Sequence, residues 1–172
     1  MHPSTSRFPD PDLEQLCGTF IDCGARFVVI GGFAVIANRY VRATEDIDLM
    51  IPTENQNDER CLLALERLGS IRLRDSAPVK SAMLLGQAHL RAITDHGLLD
   101  LIREGDPPLD FATVTEHAMT ADLGSGEFRI AGLRSIVAMK RLADRPRDRN
   151  DLAELELANG ELPRDPIPGL DT

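Results

Sequence analysis

The sequence predicts a one-domain α+β fold, a mixed sheet flanked by helices. Two observations lead there. Short β-branched runs and amphipathic helical patterns interleave along the whole chain, with no repeat and no linker to divide it. The chain has 172 residues, of which 42% are hydrophobic, enough for a single core of ordinary size and too much for a disordered segment.

After a polar, proline-containing lead-in over residues 1–10, Asp10 is placed to cap a first helix, with Pro11 in its first turn. Leu13, Leu16, Cys17, Phe20 and Ile21 form its apolar face and Gly24 ends it. Phe27–Ile30 reads as a buried strand, followed by Gly31-Gly32 and a short helix over Phe33–Tyr40. Asp46–Ile51 alternates as a second strand and stops at Pro52. Cys61, Ala64, Leu65 and Leu68 describe a helix over Asn55–Leu68, closed by Gly69. Ile71–Arg74 reads as a strand, and Ala77–Gly86 has no clear period. His89–Thr94 and Leu98–Ile102 are strands around the turn residues Asp95-His96-Gly97. Asp110 caps a helix through Met119, and Gly124-Ser125-Gly126 turns the chain into a strand at Phe128–Ile130. Two helices, Ser135–Ala143 and Arg147–Ala158, are separated at Pro146. The expected domain spans residues 1–160, with a core over about 11–131, C-terminal helices over about 133–158, and a loose tail over 161–172.

Charge and composition exclude several functions. There are 19 basic and 28 acidic residues, for a net charge of −9, and aromatic residues make up only 4%. Such a chain is neither a general nucleic-acid coat nor a base-stacking platform. Residues 134–149 are the exception, with six basic residues against Asp144 and Asp148. No apolar run approaches membrane-spanning length and the N-terminus carries no signal core, so no membrane contact is expected. Cys17, Cys23 and Cys61 lack metal-binding spacing and read as reduced thiols of a cytoplasmic protein.

The chemically informative stretch is Phe27–Ile51. A strand delivers Gly31-Gly32 to the start of a helix, where backbone amides can approach a phosphate. Asp46-Ile47-Asp48 follows on a strand, so both carboxylates share one face and Ile47 turns to the core. Two parallel carboxylates repel unless a cation lies between them, and Mg²⁺, a hard ion with oxygen ligands, is the natural candidate. A third acid, Asp100, interrupts the apolar run Leu98–Ile102, where it needs a partner or a metal.

At these residues the sequence resembles the nucleotidyltransferase superfamily with the DNA polymerase β-like catalytic fold. The motif Arg42-Ala43-Thr44-Glu45-Asp46-Ile47-Asp48-Leu49 is most similar to the branch of the AbiEii and MenT toxins and small relatives. Leu133–Leu155 resembles that branch's late helical motif, with Lys140, Arg145, Arg147, Asp148 and Asp151 in the matching places. The resemblance implies a transferase that moves a nucleoside monophosphate from an NTP to a hydroxyl. Asp46, Asp48 and Asp100 would hold Mg²⁺, or Mn²⁺ in its place, and Asp100 would help to remove the acceptor proton. Gly31 and Gly32 would cradle the outer phosphates. Arg42 reads equally as a phosphate ligand or a partner of a neighbouring acid, Thr44 as a turn residue, and Lys140 as a triphosphate ligand or a snorkelling surface lysine. Asp148 and Asp151 read as an intrahelical ion-pair set with Arg145 and Arg147. The branch suggests an RNA acceptor, in particular a tRNA 3′ end, and a toxin–antitoxin role with a cognate antitoxin or toxin protein as partner. A non-catalytic nucleotide- or partner-binding module, and an enzyme that modifies small molecules such as aminoglycosides, are the alternatives.

Overall fold

Val28, Val29 and Ile30 are all buried, and a strand buried on both faces belongs in the middle of a sheet. The computed structural model describes residues 7–80 and 88–171 and puts this strand there. The elements in chain order are α1 (Leu13–Asp22), β1 (Val28–Ile30), α2 (Gly31–Ala37), β2 (Asp46–Ile51), α3 (Asn55–Arg67), β3 (Ile71–Arg72), β4 (His89–Thr94), β5 (Gly97–Arg103), α4 (Phe111–Glu116), β6 (Met119–Asp122), β7 (Glu127–Ile130), α5 (Leu133–Ala143) and α6 (Pro146–Asn159). The strands form one mixed sheet in the order β3-β4-β5-β2-β1-β7-β6. β1 runs antiparallel to β2 and parallel to β7, while β2 and β5 are parallel. β4–β5 and β6–β7 are antiparallel pairs. The expected mixed sheet with flanking helices is therefore the observed architecture.

Most elements form where their sequence pattern places them, and the departures have local causes. Asp12, not Asp10, caps α1, accepting from the Gln15 amide; Pro11 lies outside the helix. α2 starts at Gly31 rather than Phe33, because Gly31 takes the left-handed φ of 63° and can enter the helix directly from β1. In the β4–β5 hairpin Thr94 pairs with Gly97, so Gly97 belongs to the strand and the turn is Asp95-His96 alone. Asp110 does cap α4, but that helix stops at Glu116, and Met119 opens an edge strand paired to β7. The alternation of that strand is hidden because its residues are mostly exposed. The two C-terminal helices are separate as expected, but Pro146 lies inside the second, in the first turn of α6, where its missing N–H costs nothing. Part of the lead-in and residues 81–86 of the aperiodic stretch lie outside the described residues.

The core is continuous, from Leu16, Phe20 and Phe27 through Ile47, Leu49 and Leu99 to Ile136 and Leu155. The segment expected as a loose tail is part of it. Leu162 packs against the main core and Ile167 against Leu109 and Ala138. Arg141 and Arg134 add ion pairs to Asp171 and, at 2.8 Å, to Asp165. Proline spacing hid two buried anchors in an otherwise polar stretch. Cys17, Cys23 and Cys61 are free thiols. Among the described residues no helix is long and apolar enough to cross a membrane.

The docked C-terminus makes a direct test possible. Leu162→Ala is expected to destabilise the protein by about 2–3 kcal/mol, as for a buried leucine. Leu157→Ala, at a position 82% exposed, should stay within about 0.5 kcal/mol of wild type. Urea unfolding of the two variants measures both.

Candidate active site

Alternation along β2 puts Asp46 and Asp48 on one face of the sheet, while Ile47 and Leu49 are fully buried in the core. The parallel register then sets Asp100 of β5 directly beside Asp48. One oxygen from each of the three carboxylates lies within 4.8 Å of the others. Gly31 backs onto this cluster, and a Cβ at that position would overlap the Asp48 carboxylate. Its neighbour Gly32 is closed off in the same way by Thr44, whose hydroxyl donates to the Asp46 carbonyl at 3.2 Å. Thr44 is thus a turn-forming residue that also lines the cavity.

The electrostatics of the cluster follow from this crowding. Burial, then the charges of Asp46 and Asp100, push the Asp48 carboxyl up to about 7, against the pull of Arg91 and Lys140. Burial also raises Asp100, while the hydrogen bond from His89 and the charge of Arg91 oppose it. His89 Nε2 lies 2.7 Å from Asp100 Oδ1. Arg91 Nη2 donates to Asp46 Oδ2 at 3.2 Å, and its Nε is 3.7 Å from Asp100 Oδ1.

On the other side of the cluster lies a buried ionic network. Lys140 neither snorkels nor stands free: it is 7% exposed, with Nζ 2.9 Å from Asp148 and 2.8 Å from Asp151. Arg42 Nη2 donates to Asp151 at 3.1 Å, and its Nε stacks as an unaligned ion pair 3.0 Å from the second oxygen. Arg145 bonds Asp148 through its side chain at 2.6 Å and its amide at 3.1 Å, as the cap of α6. Burial alone would raise Asp148, but the bonds from Arg145 and Lys140 outweigh it and hold the acid at about 2. Of the expected local ion-pair set the Arg145–Asp148 pair is present, but Lys140 and Arg42 turn the two acids into a tertiary junction as well. Asp148 and Asp151 join α6 to α5 and to the loop ahead of β2. Arg147 takes no part in it and reaches the Ala43 carbonyl at 3.5 Å.

All eight residues singled out in the sequence line one cavity of about 580 Å³, together with His89, Arg91, Arg145, Arg147 and Asp148. Ile136 and Met139 of α5 supply part of its apolar wall. His89 and Arg91 were not placed in the site from the sequence, because a lone histidine and arginine on the exposed face of a half-buried strand carry no motif. The hairpin held the missing signal. A two-residue turn pairing Thr94 with Gly97 places Arg91 opposite Asp100, and His89 on the same face.

Two solved structures share this architecture. ANT(2″)-Ia in complex with adenylyl-2″-tobramycin matches 84% of this chain and 86% of its own, with a TM-score of 0.56 and 17% identity. The solution structure of the antibiotic-resistance factor ANT(2″)-Ia matches 85% of this chain and 83% of its own, with a TM-score of 0.53 and 17% identity. The fold is that of the nucleotidyltransferases. At 17% identity the likeness is one of fold. No family model and no curated protein matches the sequence.

The raised Asp48 carboxyl has a consequence for stability. Its folded pKa of about 7 exceeds the ordinary value of 3.8, so the native state keeps a proton that the unfolded chain releases. In EDTA, stability should fall as pH rises from about 4 to about 7 and level off above that. Asp48→Asn should lose this decline, so its Tm advantage over wild type is small near pH 4 and largest above pH 7. A pH-independent difference in thermal scans would contradict the assignment.

Proposed function

We propose that the protein is a divalent-metal-dependent nucleotidyltransferase, moving a nucleoside monophosphate from an NTP to a hydroxyl with release of pyrophosphate. The convergence of Asp46, Asp48 and Asp100 within 4.8 Å is the observation that carries this reading. The donor set fits Mg²⁺ or Mn²⁺, being all carboxylate oxygen, crowded, and short of positive charge on its own. Asp46 and Asp48 would hold the ion from β2 and Asp100 from β5. Bound there, the ion supplies charge neutralisation to the triphosphate and to the attacking oxygen. Asp100, the acid nearest the cavity's β4 side, is placed to accept the acceptor proton. Lys140, Arg42 and Arg145 surround the far end of the cavity. They carry three positive charges against the two of Asp148 and Asp151, which leaves a net positive wall for the leaving phosphates. The Gly31 and Gly32 amides would border the same phosphates.

A small acceptor suits the site best. Five of the six basic residues in 134–149 are tied to acids, Arg134 to Asp165, Lys140 to Asp148 and Asp151, Arg141 to Asp171, Arg145 to Asp148 and Arg149 to Asp144. Among the described residues Arg147 is the one of the six that makes no ion pair. The stretch that looked like an RNA track is largely paired with acids, three of them from beyond it, which favours a small hydroxyl compound over a tRNA 3′ end or a partner protein.

The test has two stages. NTP with Mg²⁺ or Mn²⁺ should raise the wild-type Tm by several degrees, and Asp48→Asn should lose most of that shift while remaining folded. Transfer of α-³²P from each NTP is then followed into pooled small hydroxyl compounds, total tRNA and protein. No shift with any of the four NTPs would remove the basis of the transferase reading. Label in tRNA alone would keep the chemistry and replace the acceptor.

A further inference from the structure

We infer that Arg91 and His89 form the acceptor subsite, and that the acceptor hydroxyl is flanked by an oxyanion, a phosphate or a carboxylate. The inference deepens the proposed nucleotidyl transfer and rests on it. It begins with position. Across the sheet the site runs from β4, carrying His89 and Arg91, through Asp100 on β5 and Asp46 and Asp48 on β2, to Gly31 at the end of β1. The wall of Arg42 and Lys140, made net positive by Arg145, lies with Gly32 and Thr44 at the β1 end, since a Cβ on Gly32 would come within 3.4 Å of Arg42 Nη1. In-line displacement puts the attacking hydroxyl opposite the leaving pyrophosphate. With pyrophosphate against that wall, the acceptor enters over β4.

The second observation is that Arg91 and His89 hold the oxygens a metal needs. Arg91 lies on Asp46 Oδ2 and near Asp100 Oδ1, and His89 on Asp100 Oδ1. Both side chains are about half exposed, at 43% and 50%, so they can leave without disturbing the core. The cations of the opposite wall differ: Lys140 is buried, Arg42 is largely covered, and both are held by the buried acids Asp148 and Asp151. With the three carboxylates holding a divalent ion, the Arg91 guanidinium would be released from Asp46 and would stay beside the reacting centre. A planar group with five donors in that position pairs best with a phosphate or a carboxylate. The acceptor favoured here is therefore a small hydroxyl compound that carries an anion, a sugar phosphate or a hydroxy acid, and a nucleic-acid end, whose last phosphodiester offers the same oxyanion, is the source the test must separate from it. Amino sugars and other cationic acceptors are disfavoured by the same charge.

Three measurements on the intact protein test this. Mn²⁺ alone, titrated against wild type and Arg91→Gln, should bind the variant several-fold tighter, because the competing cation is gone. Weaker binding would mean that Arg91 props the carboxylates in place, and would overturn the displacement. The Tm shift with NTP and Mg²⁺ should survive in Arg91→Gln, and its absence in wild type would fault the transferase reading itself. Finally, label transfer is compared across sugar phosphates, hydroxy acids, a short RNA with a free 3′ hydroxyl, neutral sugars and amino sugars. Arg91→Gln should raise KM for the anionic acceptor about tenfold or more, with Arg91→Lys recovering part of the loss. Label in the RNA arm or in the small-anion arm identifies the source of the oxyanion. Label confined to neutral or amino sugars, with Arg91→Gln unaffected, would overturn the subsite.

Discussion

Three carboxylates held within 4.8 Å of one another repel, and much of the surrounding structure exists to keep them there. The sheet does the holding. Asp46 and Asp48 are fixed by alternate positions on β2, whose intervening Ile47 is fully buried, and Asp100 by its register against Asp48. A rotation of either strand would expose a core residue for every acid it relieved. Gly31 follows from the same constraint, because no side chain fits between the helix entry and Asp48. So does the contact of Asp100 with His89 and of Asp46 with Arg91, both reaching in from β4.

The second charged assembly works the opposite way. Lys140, Asp148 and Asp151 are buried and, with the largely covered Arg42, mutually compensated, and they staple α5, α6 and the loop before β2 into one wall. Breaking such a network by removing one partner strands the others in low dielectric, which makes it a rigid boundary. The cavity thus has one fixed side and one that can yield. The fixed side is the wall of α5 and α6, where the acids of α6 are spent on structure. The yielding side is β4, where the half-exposed side chains of Arg91 and His89 rest on the acid cluster. That asymmetry gives the site a direction for an in-line reaction.

The site was more legible in the sequence than the boundaries of the elements were. Asp-x-Asp on a strand fixes two carboxylates on one face whatever the rest of the fold does, and Asp100 in an apolar run announced a partner. The strands β1, β2, β4 and β5 were readable for the same reason, as their burial is regular. What failed depended on contacts between distant segments. Leu162 and Ile167 look like stray apolar residues among prolines until the grooves that receive them are known. Asp148 and Asp151 look like an exposed helix face because their partners, Lys140 and Arg42, come from other elements. The basic stretch at 134–149 misled in turn, since charge counted along a chain says nothing of which acids fold against it.

The most direct test of the account is a crystal of the protein soaked in Mn²⁺ and measured at a wavelength where manganese scatters anomalously. The account requires a peak between Asp46, Asp48 and Asp100, with carboxylate oxygens at about 2.1 Å, as for a hard divalent ion, and with Arg91 withdrawn from Asp46. An empty cluster at saturating Mn²⁺, with Arg91 and His89 still seated on the acids, would contradict it.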